Sequence, residues 1–153
     1  MKLVKYLLFI ALFAGISVPL LTSCSNDDDE ASPIEGYWYA TEGHGRSGSN
    51  EMWLFKDGKF VWVLGYNITK TKLKEYADKA FSHKNVSHND DIEGAEYGTY
   101  LMKGNKLKMK FEGDDSGEDI AYVSFQKNKS IMVWRYEGDD EGDCVYLQRY
   151  TEE

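Results

Sequence analysis

Few side chains here are suited to catalysis or metal binding, and their spacing is informative. His44, His83 and His88 are the only histidines, and the last two stand five residues apart, poor spacing for one helical face. Two cysteines, Cys24 and Cys144, far apart in the chain, do not make a zinc set with them. Oxygen ligands are more plentiful. The segments "GDDSGED" and "GDDEGD" could bring Asp114, Asp119, Asp139 and Asp143 to one hard cation such as calcium. Neither has the alternating spacing and distal glutamate of a calcium loop, so solvated acidic turns are the competing reading. No nucleophile elbow, glycine-rich phosphate cradle or histidine-centred triad occurs. A carboxylate pair could do glycosidase work, but its spacing in space cannot be read from the chain. The expectation is a protein that is not an enzyme and uses no cofactor.

Cys24 lies in "LLTSCSNDDDE", between an apolar run and an acidic one. Ahead of it, Lys2 and Lys5 are the only charges, and Gly15, Ser17 and Pro19 interrupt a run that has no basic flank behind it. That pattern predicts an export signal rather than a membrane-spanning helix. Leu21-Thr22-Ser23-Cys24 resembles the bacterial lipoprotein box, in which the cysteine is acylated and the chain is cut just before it. The resemblance implies fatty acyl chains such as palmitate on Cys24 and the lipid bilayer as a partner. Each buried methylene adds about 0.8 kcal/mol, so several chains on one residue suffice for stable attachment. The acids after Cys24 resemble the tethers of Bacteroidetes-type lipoproteins, some of which reach the cell surface. The expected location is the bacterial cell envelope, as an outer-membrane lipoprotein, with surface exposure in view. The expected division is a signal peptide over 1–23, an acidic tether over 24–33 and one domain over 34–153.

Loss of Lys2 and Lys5 with the leader takes the formal charge from −8 to −10. Such a surface repels phosphate backbones, so no nucleic-acid partner is expected. Cys144 is left as a half-buried strand cysteine or an intermolecular pairing site. Asn67, Asn85 and Asn128 head Asn-x-Ser/Thr triplets, which carry no message behind a bacterial lipoprotein box.

From Ile34 onward, aromatic and β-branched runs alternate with Gly, Asn and Asp. This predicts eight strands, over 36–41, 51–56, 59–66, 96–103, 106–112, 119–127, 130–137 and 143–150. Asp57-Gly58 is a hairpin turn that sets Phe55 opposite Phe60 and Trp53 opposite Trp62. Gly104-Asn105 pairs Met102 with Leu107 and Tyr100 with Met109. Asn128-Lys129 pairs Phe125 with Met132 and Val123 with Trp134. Each turn independently yields one apolar face, and a slip of one residue would invert it. Tight turns alternate with longer loops, so the former gather at a closed, lysine-rich end and the latter at an open, acidic end. The predicted class is all-β, an eight-stranded antiparallel up-and-down barrel with one helix between strands three and four.

"IEGYW" at 34–38, "WLFKDGKF" at 53–60 and "YGTYLMKGNKLKM" at 97–109 resemble bacterial lipocalin-like lipoproteins of the calycin group. In lipocalins a first-strand tryptophan sits at the closed end under an arginine of the last strand. The resemblance therefore implies a Trp38–Arg149 contact at the barrel base, with a solvated Arg149 as the alternative. It also implies a ligand at the open end, for which Trp62, Leu64, Tyr66, Trp134 and Tyr136 are the candidate contacts. The inferred interior is crowded by Trp53, Phe55, Phe60, Trp62, Phe125 and Trp134, and a barrel of this size holds at most one small ligand.

Between strands three and four, Leu73, Tyr76, Ala77, Ala80 and Phe81 form a helical apolar stripe. The helix could close the mouth as a lid, or cover the apolar outer face of Met52, Leu54, Val61 and Val63. Two functions follow. One is a membrane-anchored barrel binding a small neutral or cationic apolar or aromatic molecule at its open end. The other is a solid-core module meeting a protein or glycan partner through its outer surface.

Overall fold

Period-two alternation along short aromatic-rich runs leaves each strand one apolar face, and a closed barrel buries all of those faces at once without exposing a strand edge. The structure, a computed structural model, describes residues 32–41, 48–83, 92–140 and 142–152. Cys24, the acidic tether as far as residue 31, His44, Asn85 and His88 lie outside the described residues.

The strands are β1(Gly36–Thr41), β2(Ser49–Lys56), β3(Lys59–Tyr66), β4(Ile92–Lys103), β5(Lys106–Phe111), β6(Asp119–Gln126), β7(Ile131–Tyr136) and β8(Val145–Arg149), with α1(Lys70–His83) between β3 and β4. They form a closed antiparallel barrel in chain order. β8 closes on β1 through Trp38 opposite Arg149 and Tyr39 opposite Gln148.

The expected registers hold at all three tight turns. Phe55 faces Phe60, Met102 faces Leu107 and Phe125 faces Met132. Asp57 and Gly58 take φ of 52° and 72°, as a twisted two-residue hairpin turn demands. The β6–β7 connection is longer than the two residues expected. Lys127, Asn128 and Lys129 all take positive φ (48°, 55° and 63°), and the ladder begins only at Gln126 and Ile131. β4 begins four residues earlier than expected, at Ile92 rather than at 96. Gly94 weakens the strand signal there, but pairing with β3 carries the ladder past it, with a bulge at Leu64/Gly65.

Two cores result. Inside the barrel lie Trp38, Trp53, Phe55, Phe60, Leu107, Met109, Met132, Trp134 and Leu147. Outside it, α1 lays Leu73, Ala77 and Ala80 on Met52, Leu54, Val61 and Val63. The helix is therefore packing against the wall of β2 and β3, and it does not close the mouth. Its two fully buried alanines allow close approach to the sheet. Asn50 fixes the entry to the helix, accepting from the Tyr39 hydroxyl at 3.1 Å and donating to the Ile68 carbonyl at 2.9 Å.

Two tyrosines tie the periphery to this frame. The Tyr37 hydroxyl donates to Asp78 of α1, and Lys74 bridges Asp78 at 3.0 Å and Glu152 at 3.2 Å. The Tyr100 hydroxyl donates to Glu35 at 3.3 Å. Burial first, and the neighbouring carboxylate second, push both phenols up to about 12. The folded state thus holds these protons more tightly than the unfolded chain, whose tyrosines titrate near about 10. Stability is intact below that value and falls as pH rises through 12. Denaturant titrations between about pH 9 and pH 11.5 should show this loss, and a Tyr37→Phe/Tyr100→Phe variant should lose less. Parallel decline of the two proteins would exclude the tyrosines as its source.

Candidate functional site

On β2, residues of one parity point inward: Glu51, Trp53 and Phe55. Glu51 is the exception among them, a carboxylate paired with Ala40 on one side and Leu64 on the other, toward the end of the barrel away from the tight turns. It is fully buried. Removing a carboxylate from water is costly unless donors compensate. One is the Trp62 indole, which donates to Glu51 Oε2 at 2.8 Å.

An aromatic lining continues from there. Trp53 stacks on Trp62 with centroids 5.6 Å apart, and meets Trp134 edge-on at 4.6 Å. Trp134 in turn lies 5.8 Å from Tyr136. The Tyr136 hydroxyl is held well above the ordinary phenol range, chiefly by burial and then by the charges of Asp119, Glu51, Asp139 and Glu96. Four carboxylates therefore bear on one phenol at the open end. The indole N–H groups of Trp53 and Trp134 are buried with no acceptor among the described residues. The carboxylates give this end of the barrel a negative potential.

Below this layer the barrel is filled, and its base is sealed. The Arg149 guanidinium carbon lies 4.2 Å from the Trp38 ring centroid, a cation–π contact. Its nitrogens donate to the carbonyls of Pro33 at 2.7 Å, Glu35 at 2.8 Å and Lys129 at 3.1 Å. The Trp38 indole donates to the Ile34 carbonyl at 2.7 Å. Arg149 is thus engaged by three carbonyls and one ring while remaining partly exposed.

Of the candidate ligand contacts, Trp62, Trp134 and Tyr136 are brought together through Trp53. Leu64 is buried beside Glu51 in the β2–β3 ladder, and Tyr66 stands at the end of β3 opposite Ser49. Glu51 was not among the sequence candidates. Its signal was parity: it shares a face with Trp53 and Phe55, where an acid is out of place.

The cation site suggested for Asp114, Asp119, Asp139 and Asp143 does not form. Among the described residues no group of three or more potential ligands could hold a metal ion. Asp114 is spent on its own turn, accepting from the Ser116 amide at 2.7 Å, which draws its carboxyl below the usual range. Asp119 starts β6 opposite Met109, while Asp139 and Asp143 belong to the β7–β8 connection.

Two open clefts mark the outer wall. One, of about 800 Å³, runs between α1 and the end of β8 past Tyr39, Lys70, Lys74 and Tyr150. The other, of about 580 Å³, lies over β4 and β5 beside Phe81, Tyr97 and Phe111. Comparison with family models, with curated proteins and with solved structures finds no match to this chain.

Proposed function

We propose that this protein is a lipocalin-like lipoprotein of the bacterial cell envelope, anchored through acylated Cys24, whose barrel binds a small apolar or aromatic molecule, neutral or cationic, at its open end. The observation that carries the ligand reading is the buried Glu51 bonded to Trp62, at the start of an aromatic series that runs through Trp53 and Trp134 to Tyr136. A purely structural core has little use for a charge in that position. The anchor reading rests on the leader and box around Cys24. Arg149 holds the Pro33 and Glu35 carbonyls at the base of the barrel, which supports the reading that a tether departs from that end and that the mouth is turned from the bilayer.

Native mass spectrometry of the protein extracted from its own membranes is expected to reveal a bound small molecule in a fixed stoichiometry. A bare polypeptide mass after gentle extraction would count against the reading. For the anchor, Cys24→Ser is expected to move the protein from the membrane to the soluble fraction and to abolish incorporation of labelled palmitate. Unchanged membrane attachment would sink it.

The alternative, a solid surface module, draws on the filled lower barrel and on the exposed Leu101, Tyr122 and Tyr146. The outer face of the β2–β3 hairpin no longer supports it, because α1 covers that face.

A further inference from the structure

We propose that the closed end of the barrel is itself a membrane-contact surface, on which the lysines of the three tight turns engage anionic lipid headgroups. For its orientation this rests on the anchor reading above, to which it adds a direct contact between barrel and bilayer.

The chain order of the antiparallel barrel puts the β2–β3, β4–β5 and β6–β7 turns at one end. Lys56 and Lys59 flank the first, Lys103 and Lys106 the second, and Lys127 and Lys129 the third, with Asp57 as the one acid within them. Glu35, at the base, is already bonded to the Tyr100 hydroxyl. Six ammonium groups therefore gather at one end of a chain whose formal charge is −8. At the other end, the β5–β6 and β7–β8 connections, over 112–118 and 137–144, hold acids and neither lysine nor arginine. Charge is divided along the barrel, a field that orients the molecule against an anionic surface.

Local stability does not account for these lysines. Lys56 stands directly opposite Lys59, and Lys103 opposite Lys106, pairings that like-charge repulsion makes unfavourable. Lys127 and Lys129 take φ of 48° and 63°, a region that suits glycine better. Nor are the charges spent within the fold. Lys106 reaches Glu137 at 3.6 Å, but Lys56, Lys59, Lys103, Lys127 and Lys129 make no ion pair among the described residues, whereas Lys74 and Lys108 are both paired.

Shape and position select the partner. Lys56, Lys103, Lys127 and Lys129 line neither cleft of the outer wall, so a discrete ligand would find no walls around them. A fluid sheet of headgroups needs none, because an ammonium on a flexible stem acts as a movable point charge. Arg149 donates to the carbonyls of both Pro33 and Lys129, so the N-terminal side of the domain and the third turn meet at this end. An anchor there would hold the lysines at the lipid surface, where each gains about fivefold in binding to an anionic leaflet.

The test uses the full protein extracted from its membranes and reconstituted with vesicles of phosphatidylcholine alone or mixed with phosphatidylglycerol. An uncharged amine-reactive reagent is applied, and labelling of each lysine is followed by mass spectrometry. Lys56, Lys59, Lys103, Lys127 and Lys129 are expected to react about fivefold or more slowly on the anionic vesicles, while Lys72 of α1 and Lys110, near the far end of β5, keep their rates. Protection should vanish in about 1 M salt, where screening shrinks to about 3 Å. A Lys56→Glu/Lys103→Glu variant turns two like-charge pairs into opposite ones, so it should melt no lower than the parent while Lys127 and Lys129 lose their protection. Equal labelling on the two vesicles, or protection shared evenly with Lys72 and Lys110, would overturn the proposal and leave the anchor standing if the protein still floats with both. Protection by soluble alginate on phosphatidylcholine vesicles, with none from phosphatidylglycerol, would overturn it in favour of an acidic glycan. Protein that floats only with the anionic vesicles would refute the anchor and keep the lysine surface, and protein that floats with neither would refute both. The vesicle comparison needs no variant, so misfolding of the double substitution would not remove the test.

Discussion

Replacing Gly98 with alanine is expected to destabilise the protein by about 3 kcal/mol, the upper end of what overpacking costs in a filled interior. A Cβ at this position would stand 2.3 Å from the Lys110 carbonyl oxygen and 2.5 Å from the Phe60 ring. The oxygen belongs to the β4–β5 ladder and cannot rotate away. The ring is held between Trp53, at 5.8 Å, and Phe111, which it meets edge-on at 4.9 Å. Gly98 pairs with Phe60 on one side and with Phe111 on the other, so its missing side chain is the slot in which these two rings meet. An aromatic ring lying over a strand glycine is a known way to recover the packing that the glycine forgoes. Thermal melting should fall by roughly 10 °C. Gly142→Ala is the control, because its Cβ would meet nothing within 4 Å. A Gly98→Ala protein that melts within about 2 °C of the parent would refute this account of the wall.

The base of the barrel should show the second large effect. Trp38→Ala removes a fully buried indole and its hydrogen bond to the Ile34 carbonyl, and is expected to cost about 4 kcal/mol. Arg149→Met keeps much of the aliphatic stem but withdraws donors from the carbonyls of Pro33, Glu35 and Lys129, for an expected loss of about 2 kcal/mol. Because the guanidinium sits 4.2 Å from the Trp38 ring, the two losses should not add: a double-mutant cycle in urea should return a coupling of about 1 kcal/mol. Additivity within about 0.3 kcal/mol would mean that the contact contributes nothing beyond its separate parts. The same site explains Gly36. It takes φ of 114°, and a Cβ there would lie 3.0 Å from an Arg149 guanidinium nitrogen, so glycine lets the chain turn under the arginine.

Much of this architecture was legible in the chain because strand and turn signals are local. Asp57-Gly58 and Gly104-Asn105 each specify a turn, the turn specifies a register, and the register assigns Trp53, Phe55, Phe60 and Trp62 to one face without reference to the rest of the molecule. The amphipathic stripe of α1 was equally plain, since it depends only on a period of 3.6. Its docking place was not, because a lid and an outer buttress demand the same stripe. What chose between them was the short run from Tyr66 to Lys70, pinned by Asn50 to the β2–β3 wall.

The residues of the site divide in the same way. Alternation by itself put Trp62, Trp134 and Tyr136 on the inward face, and the acidic composition of the longer loops announced a negative mouth. Only the closed barrel brought strands three and seven within reach of each other, by way of Trp53 and Trp134 from opposite walls. Only closure made Glu51 a buried charge rather than a strand-end acid in water, because its burial depends on the neighbours that β1 and β3 supply. Acidic sequence likewise suggested a cation cluster that the tertiary structure does not assemble, since Asp114 is spent on its own turn, Asp119 starts β6, and Asp139 and Asp143 lie on the β7–β8 connection. Sequence determines faces and turns, which are properties of a few neighbouring residues. The fold decides proximity and burial, which arise when distant strands meet.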